Sequence, residues 1–197
     1  MTEAGRYDMV VIGASAGGLR VLKTLLGSLP GNYSLSIAIV QHIAPASNGD
    51  WVRLLGGSCD LVVKEAEEKE RIRRGTVYVA PANYHLLVEL DGSFSLTVDE
   101  PVSYARPSID VLFETAADAY RARLVGIVMT GANADGAAGL RRVKQVGGLT
   151  VVQDPASAEA RAMPDAAIVA AQPSLILSPE AIGDLLYSLH TDRQKGL

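Results

Sequence analysis

Three residue types that together perform acyl transfer each follow an apolar, β-forming run in this chain. Ser15 stands in Gly13-Ala14-Ser15-Ala16-Gly17, directly after Met9-Val10-Val11-Ile12. That is a G-x-S-x-G pattern, in which small neighbours permit a cramped strand-to-helix turn that exposes the hydroxyl. His42 closes the next apolar run, after Val40-Gln41. A histidine there can take the proton of a serine nucleophile, and it then needs a carboxylate to orient and stabilise it. Asp135 fits best, because its loop Thr130-Gly131-Ala132-Asn133-Ala134-Asp135-Gly136 leaves the buried-type strand Leu124 to Met129. Two rivals are weaker: Asp110 falls on the exposed first turn of a helix, and Asp154 sits in an Asp-Pro turn where a structural role suffices. The chain order is then Ser, His, Asp, whereas an α/β-hydrolase reads Ser, Asp, His.

The same Gly-rich turn invites a second chemistry, a phosphate held by backbone amides at a helix N-terminus. The dinucleotide fingerprint wants a glycine where Ser15 stands and an acidic residue about 20 residues on, where this chain offers Val40-Gln41-His42. A purely structural glycine turn is the third reading of the motif.

The elements that must position these residues follow from periodicity. Leu19, Leu22, Leu25, Leu26 and Leu29 have helical spacing over Leu19 to Leu29, and Leu35 to Gln41 reads as the next strand. A strand, a helix and a strand within roughly thirty residues make a right-handed βαβ unit with parallel strands, which puts Ser15 and His42 on one sheet edge. A loop over Ala44 to Asp50 leads to a short helix at Trp51 to Leu55, where Trp51 fills core or shapes the rim of the site. Leu61 to Val63 and Thr76 to Ala80 read as strands, joined by a solvated mixed-charge connection from Lys64 to Arg74. His85 to Leu90 and Ser93 to Val98 flank Asp91-Gly92, an antiparallel hairpin that makes the sheet mixed or forms a flap. His85, at its head, is a spare histidine that the triad does not need.

Arg106-Pro107-Ser108 opens a helix carrying Ile109, Leu112, Phe113, Ala116 and Tyr120 on one face. After the Leu124 strand come a helix over Ala137 to Val146 and a strand over Leu149 to Gln153. Short helices over Ala158 to Ala162 and Asp165 to Ala171 are expected, broken at Met163-Pro164. Leu175 to Leu177 reads as an edge strand, and Ser178-Pro179 caps a last helix to about His190, a residue expected in a solvated tail. The pattern predicts an α/β protein with a doubly wound, mainly parallel, Rossmann-like sheet flanked by helices.

Composition sets bounds. The 197 residues suit a single domain over 1–197 with a core of about 8–190. Hydrophobic content of 48% with 20% charged residues is that of an ordinary globular chain, and a net charge of -4 gives no basic surface for nucleic acid or anionic membrane. One cysteine, Cys59, excludes an internal disulfide and a cysteine-based zinc cluster, and reads as a small buried hydrophobe. No signal region precedes the first strand and no apolar run approaches the ~20 residues of a membrane span, so a cytoplasmic protein is expected.

These residues carry a resemblance. The chain resembles the catalytic domain of the chemotaxis receptor protein-glutamate methylesterases, the CheB family. The matching pieces, in family order, are Ile12-Gly13-Ala14-Ser15 with Gly17-Gly18, Val40-Gln41-His42, Val77-Tyr78-Val79-Ala80-Pro81 and Arg106-Pro107-Ser108-Ile109-Asp110. They continue with Thr130-Gly131, Asp135-Gly136-Ala137-Ala138-Gly139 and Met163-Pro164. The resemblance implies a serine hydrolase with nucleophile Ser15, base His42 and orienting acid Asp135, using no metal or organic cofactor. It implies hydrolysis of γ-glutamyl methyl esters, and deamidation of glutamines, on the cytoplasmic helical domain of methyl-accepting chemoreceptors. A methyltransferase or a separate response regulator are the further partners it suggests. The family commonly has threonine where Ala16 stands and a Gly-Met-Gly run before the Asp-Gly, whereas this chain has Gly131-Ala132-Asn133-Ala134. Many relatives also carry an N-terminal receiver domain. None is expected here, which would leave activity constitutive or controlled by a partner. The competing readings are a catalytically weak docking module of a chemosensory array and a nucleotide binder.

Overall fold

The computed structural model describes residues 7–42 and 50–195. Seven parallel strands form one sheet in the order β3-β4-β2-β1-β7-β8-β9. They are β1 (Met9–Ala14), β2 (Ser36–Gln41), β3 (Val62–Glu65), β4 (Thr76–Val79), β7 (Leu124–Val128), β8 (Leu149–Gln153) and β9 (Leu175–Leu177). The central strands β1, β2 and β7 are buried along their whole length, as continuous apolar runs in a sheet covered on both faces must be. Strand order reverses at β1, so the crevice between the carboxyl ends of β1 and β7 is the topological switch point.

Two buried clusters lie on opposite faces. Val10 and Ile12 pack with Leu22, Leu25 and Leu26 of α1 (Gly18–Gly27), Leu55 of α2 (Asp50–Gly56), and Ile182 and Leu186 of α6 (Pro179–Lys195). Met9 and Val11 face the other way, toward Leu112 and Phe113 of α3 (Ile109–Tyr120), Leu140 of α4 (Ala137–Gln145) and Ala167 of α5 (Ala162–Ala171). The fold is therefore doubly wound. Each fully buried leucine on these faces contributes about 1.5–3 kcal/mol relative to exposure.

Several expectations are corrected. The expected antiparallel hairpin is present as β5 (His85–Val88) and β6 (Phe94–Thr97), but it does not make the large sheet mixed. It forms its own antiparallel ribbon, which packs Leu86, Val88 and Phe94 into the α3 face and donates the Val88 N–H to Thr115 Oγ1 at 3.1 Å. Residues 158–161 are not helical; one helix, α5, runs through Met163-Pro164. Pro164 lies in its first turn, where a missing N–H costs nothing. His190 is buried, accepting the Ser34 N–H at 3.1 Å and stacking on Tyr33, because α6 continues to Lys195 and packs this turn against the chain before β2. Cys59 is only half-buried at the end of the α2 segment.

Lys64 and Glu65 belong to β3, and Lys64 is neutralised by Glu67 and Glu70 at 2.7 and 2.9 Å. Trp51 is buried in the α1–α2 core, which is the core-filling alternative. Of the expected loop at 44–50, residues 44–49 lie outside the described residues and Asp50 opens α2. Among the described residues no helix is long and apolar enough to cross a membrane.

Candidate active site

Ser15, His42 and Asp135 all leave the carboxyl edge at the switch point. Ala14 and Gln41 are paired in the β1–β2 register, so Ser15 and His42 are the next residues on adjacent strands. The His42 N–H donates to Ala14 O, the Ser15 N–H to Thr130 O and the Met129 N–H to Gly13 O, each at 2.9 Å. These bonds continue the ladder past the strand ends and hold the three loops together.

Asp135 is fully buried, and its Oδ2 lies 2.8 Å from His42 Nε2. A buried carboxylate survives only when its lone pairs are satisfied. Here Oδ2 also accepts the Ile109 N–H at 2.7 Å, while Oδ1 accepts the Ser108 hydroxyl at 2.8 Å and the Asp110 N–H at 3.0 Å. Three of the four donors come from the N-terminus of α3, whose free amides and positive end favour an anion. Burial pushes the Asp135 carboxyl up, yet the bonds from His42, the Asp110 and Ile109 amides and Ser108 together hold it below the ordinary carboxylate value. An ionised Asp135 accepts a hydrogen bond from the His42 Nε2–H, so the proton stays on Nε2 and Nδ1 is left as the basic nitrogen.

The rivals fall elsewhere. Asp154 caps the short turn Pro155–Ser157 through the Ala156 N–H at 2.9 Å. Asp110 is not on an exposed turn: it is buried, and its Oδ1 accepts the Gly139 N–H at 2.7 Å in the first turn of α4. Burial, helped by the nearby Asp135 and Glu114 charges, pushes its carboxyl up to about 6 against the pull of the Gly139 and Gly136 amides. The correction has a packing cause, since Gly139 leaves no Cβ between α4 and the first turn of α3.

His85 is buried and lies one step behind the triad. Its Nδ1 accepts the Ser108 N–H at 3.2 Å and its Nε2 donates to Glu100 O at 3.1 Å, an assignment that uses one neutral tautomer. It therefore steadies the helix cap that holds Asp135. The motifs alone assign no hydrogen-bonding role to the side chains of Ser108, Gln41 and Thr130. Their signal in the sequence was a polar residue at the end of an otherwise apolar run, or just before a helix.

The turn itself is braced from inside. Gln41 Nε2 donates to Ser15 O at 2.8 Å and to His42 O at 2.9 Å. Thr130 Oγ1 donates to Ala16 O at 2.8 Å. Gly17 is the N-cap of α1 with φ +77°, a conformation that L side chains rarely adopt.

A doubly wound α/β protein with a serine, a histidine and a buried carboxylate converging at its switch point is the class that fold and site define. Comparison with known proteins gives the particular family. Residues 10–186 match the CheB methylesterase family, and the chain belongs to it. A Leptospira interrogans relative is 52% identical over 183 residues, covering 93% of this chain and 95% of its own length. A Geobacter metallireducens relative named protein-glutamate methylesterase/protein-glutamine glutaminase 1 is 43% identical over 170 residues, 85% of this chain. The match spans 47% of that relative's length. The crystal structure of the Thermotoga maritima CheB methylesterase catalytic domain superposes with a TM-score of 0.89 at 31% identity, covering 93% of this chain and 98% of that one.

Proposed function

We propose that this protein is a serine esterase that hydrolyses γ-glutamyl methyl esters on the cytoplasmic helices of chemoreceptors and deamidates receptor glutamines. The residues from about 8 to 190 act as one catalytic unit, with Ser15 as nucleophile, His42 as base and Asp135 as orienting acid. The observation that carries the reading is the 2.8 Å contact from His42 Nε2 to a fully buried Asp135, set beside Ser15 by the Ala14–Gln41 register.

His42 Nδ1 takes the hydroxyl proton as Ser15 Oγ bonds to the ester carbonyl carbon. The tetrahedral oxyanion is held by the Ala16 and Gly17 amides at the start of α1, since the Gly18 N–H is spent on Ser15 O at 2.9 Å. Collapse breaks the C–OCH3 bond, and His42 returns the proton to the departing methoxide as methanol. Water, deprotonated by His42, then attacks the glutamyl-enzyme, releasing a glutamate side chain and restoring Ser15. With a glutamine substrate the same sequence expels ammonia.

Methanol release from methylated receptor fragments, compared with Ser15→Ala, is the test. Release that persists in the variant, or is absent from both proteins, overturns the reading.

A further inference from the structure

The esterase reading sets the Ala16 and Gly17 amides against the developing oxyanion, and two buried side chains hold the carbonyls at the other ends of those peptide units. In a trans peptide the C=O and N–H of one unit point in opposite directions. The unit joining Ser15 and Ala16 therefore sends its N–H away from wherever Ser15 O is held. Ser15 O is held inward, by Gln41 Nε2 at 2.8 Å and by the Gly18 N–H at 2.9 Å. The unit joining Ala16 and Gly17 is held in the same way, with Ala16 O drawn to Thr130 Oγ1 at 2.8 Å. Gln41 and Thr130 are both buried, whereas Ala16 is exposed. Both amides must then point out of the protein body.

We propose that Gln41 and Thr130 are the positioning residues of the oxyanion hole, each pinning one carbonyl of the turn so that the amide on the other end of the peptide meets the developing charge. The inference rests on the esterase reading above. Two further facts support it. Gln41 Nε2 also donates to His42 O at 2.9 Å, so one side-chain amide ties the nucleophile's turn to the backbone of the base. Thr130 grips the turn twice, because its own carbonyl accepts the Ser15 N–H at 2.9 Å.

The cost of the arrangement is visible. Gln41 Oε1 is buried with no hydrogen-bond partner, a burden on stability that its amide nitrogen's two bonds offset. Oε1 also occupies the space that a Cβ on Gly18 would need, 2.1 Å away, so the glycine that opens α1 makes room for the brace.

The test uses Thr130→Val, close in shape and lacking the hydroxyl, with Gln41→Leu as the second variant and Thr130→Ser as the conservative rescue. Steady-state hydrolysis of p-nitrophenyl acetate and of a γ-methyl glutamyl peptide is measured, together with binding of a peptide trifluoromethyl ketone, which forms an oxyanion on Ser15. Loss of one brace lowers kcat by about 10- to 100-fold, short of or reaching the loss of a whole donor, with KM within about twofold. Affinity for the ketone falls in the same proportion as kcat/KM, and Thr130→Ser recovers most of both. A variant that loses thermal stability while its folded fraction keeps wild-type kcat and ketone affinity overturns the proposal, as does a kcat within twofold in both variants. Wild-type protein with no esterase activity, or activity surviving Ser15→Ala, would instead overturn the esterase reading on which the proposal rests.

Discussion

His42 Nε2 and Asp135 Oδ2 sit 2.8 Å apart, with the carboxylate fully buried and the imidazole nearly so. With Nε2 committed to Asp135, Nδ1 is the ring nitrogen left free to accept a proton. Asp135→Asn keeps the shape, and with its oxygen in the Oδ1 position it still accepts the Ser108 and Asp110 bonds, but its NH2 then takes the Oδ2 position and faces Nε2. That would draw the ring into the tautomer with its proton on Nδ1, where it cannot act as base. A fall in kcat of about 10⁴-fold is expected, by analogy with the serine protease triad. Ester hydrolysis at saturating substrate checks it, with circular dichroism to show that the fold is kept; a loss below tenfold would remove Asp135 from its assigned role.

Asp110 makes an opposite prediction about stability. A carboxyl whose folded pKa is about 6, above the unfolded value of about 3.9, stabilises the fold while it is protonated. That contribution is fully present below the unfolded pKa and is lost as pH rises through about 6. The loss is about 2–3 kcal/mol between pH 4 and pH 7. Asp110→Asn imitates the protonated form and keeps an oxygen for the Gly139 N–H, so the variant should match wild type near pH 4 and exceed it near pH 7. Asp135 has the opposite sign: its depressed pKa gives stability above the ordinary carboxylate range that is lost as the pH falls through the folded value. Urea denaturation of both proteins across this pH window separates the two contributions.

Much of this was legible in the sequence for a physical reason. Apolar runs such as Met9-Val10-Val11-Ile12 and Leu124 to Met129 are what strands buried on both faces require, and residues ending such runs fall on one edge. Ser15, His42 and the loop that carries Asp135 are placed on one edge by that reasoning, and the structure brings His42 and Asp135 into contact there. The misreadings share another cause, that local pattern does not report what packs against a turn from far along the chain. Asp110 looks exposed until α4 closes over it, and His190 looks solvated until α6 meets Tyr33. Pro164 reads as a break unless the helix is known to start two residues before it.

The close approach of β1 and α3 predicts a steric effect at Gly13. A Cβ there would lie 2.3 Å from Ile109 Cγ2, and Ile109 also fills the space beside Gly136. Gly13→Ala must therefore push the first turn of α3 outward. Overpacking of this kind costs about 1–3 kcal/mol. Because the Ile109 N–H is a donor to Asp135, activity should fall along with stability. Ile109→Ala, paired with Gly13→Ala, removes the Cγ2, Cγ1 and Cδ1 atoms that the new Cβ would meet, so the pair should lose less than the sum of the two single changes in a double-mutant cycle; the absence of coupling would mean that the two sites do not meet.

His85 carries the last prediction. His85→Phe preserves bulk but leaves the buried Ser108 N–H without its acceptor, while Glu100, on the exposed side, can turn to water. An unsatisfied buried donor costs about 1–3 kcal/mol. His85→Asn can place its Oδ1 near the position of Nδ1 and accept the Ser108 N–H, so it should recover most of the loss. Urea midpoints for the two variants distinguish the causes. Equal destabilisation by Phe and Asn would assign the effect to packing around the ribbon of β5 and β6. Recovery by Asn alone would assign it to the hydrogen bond that steadies the cap of α3, and through Ser108 the carboxylate behind His42.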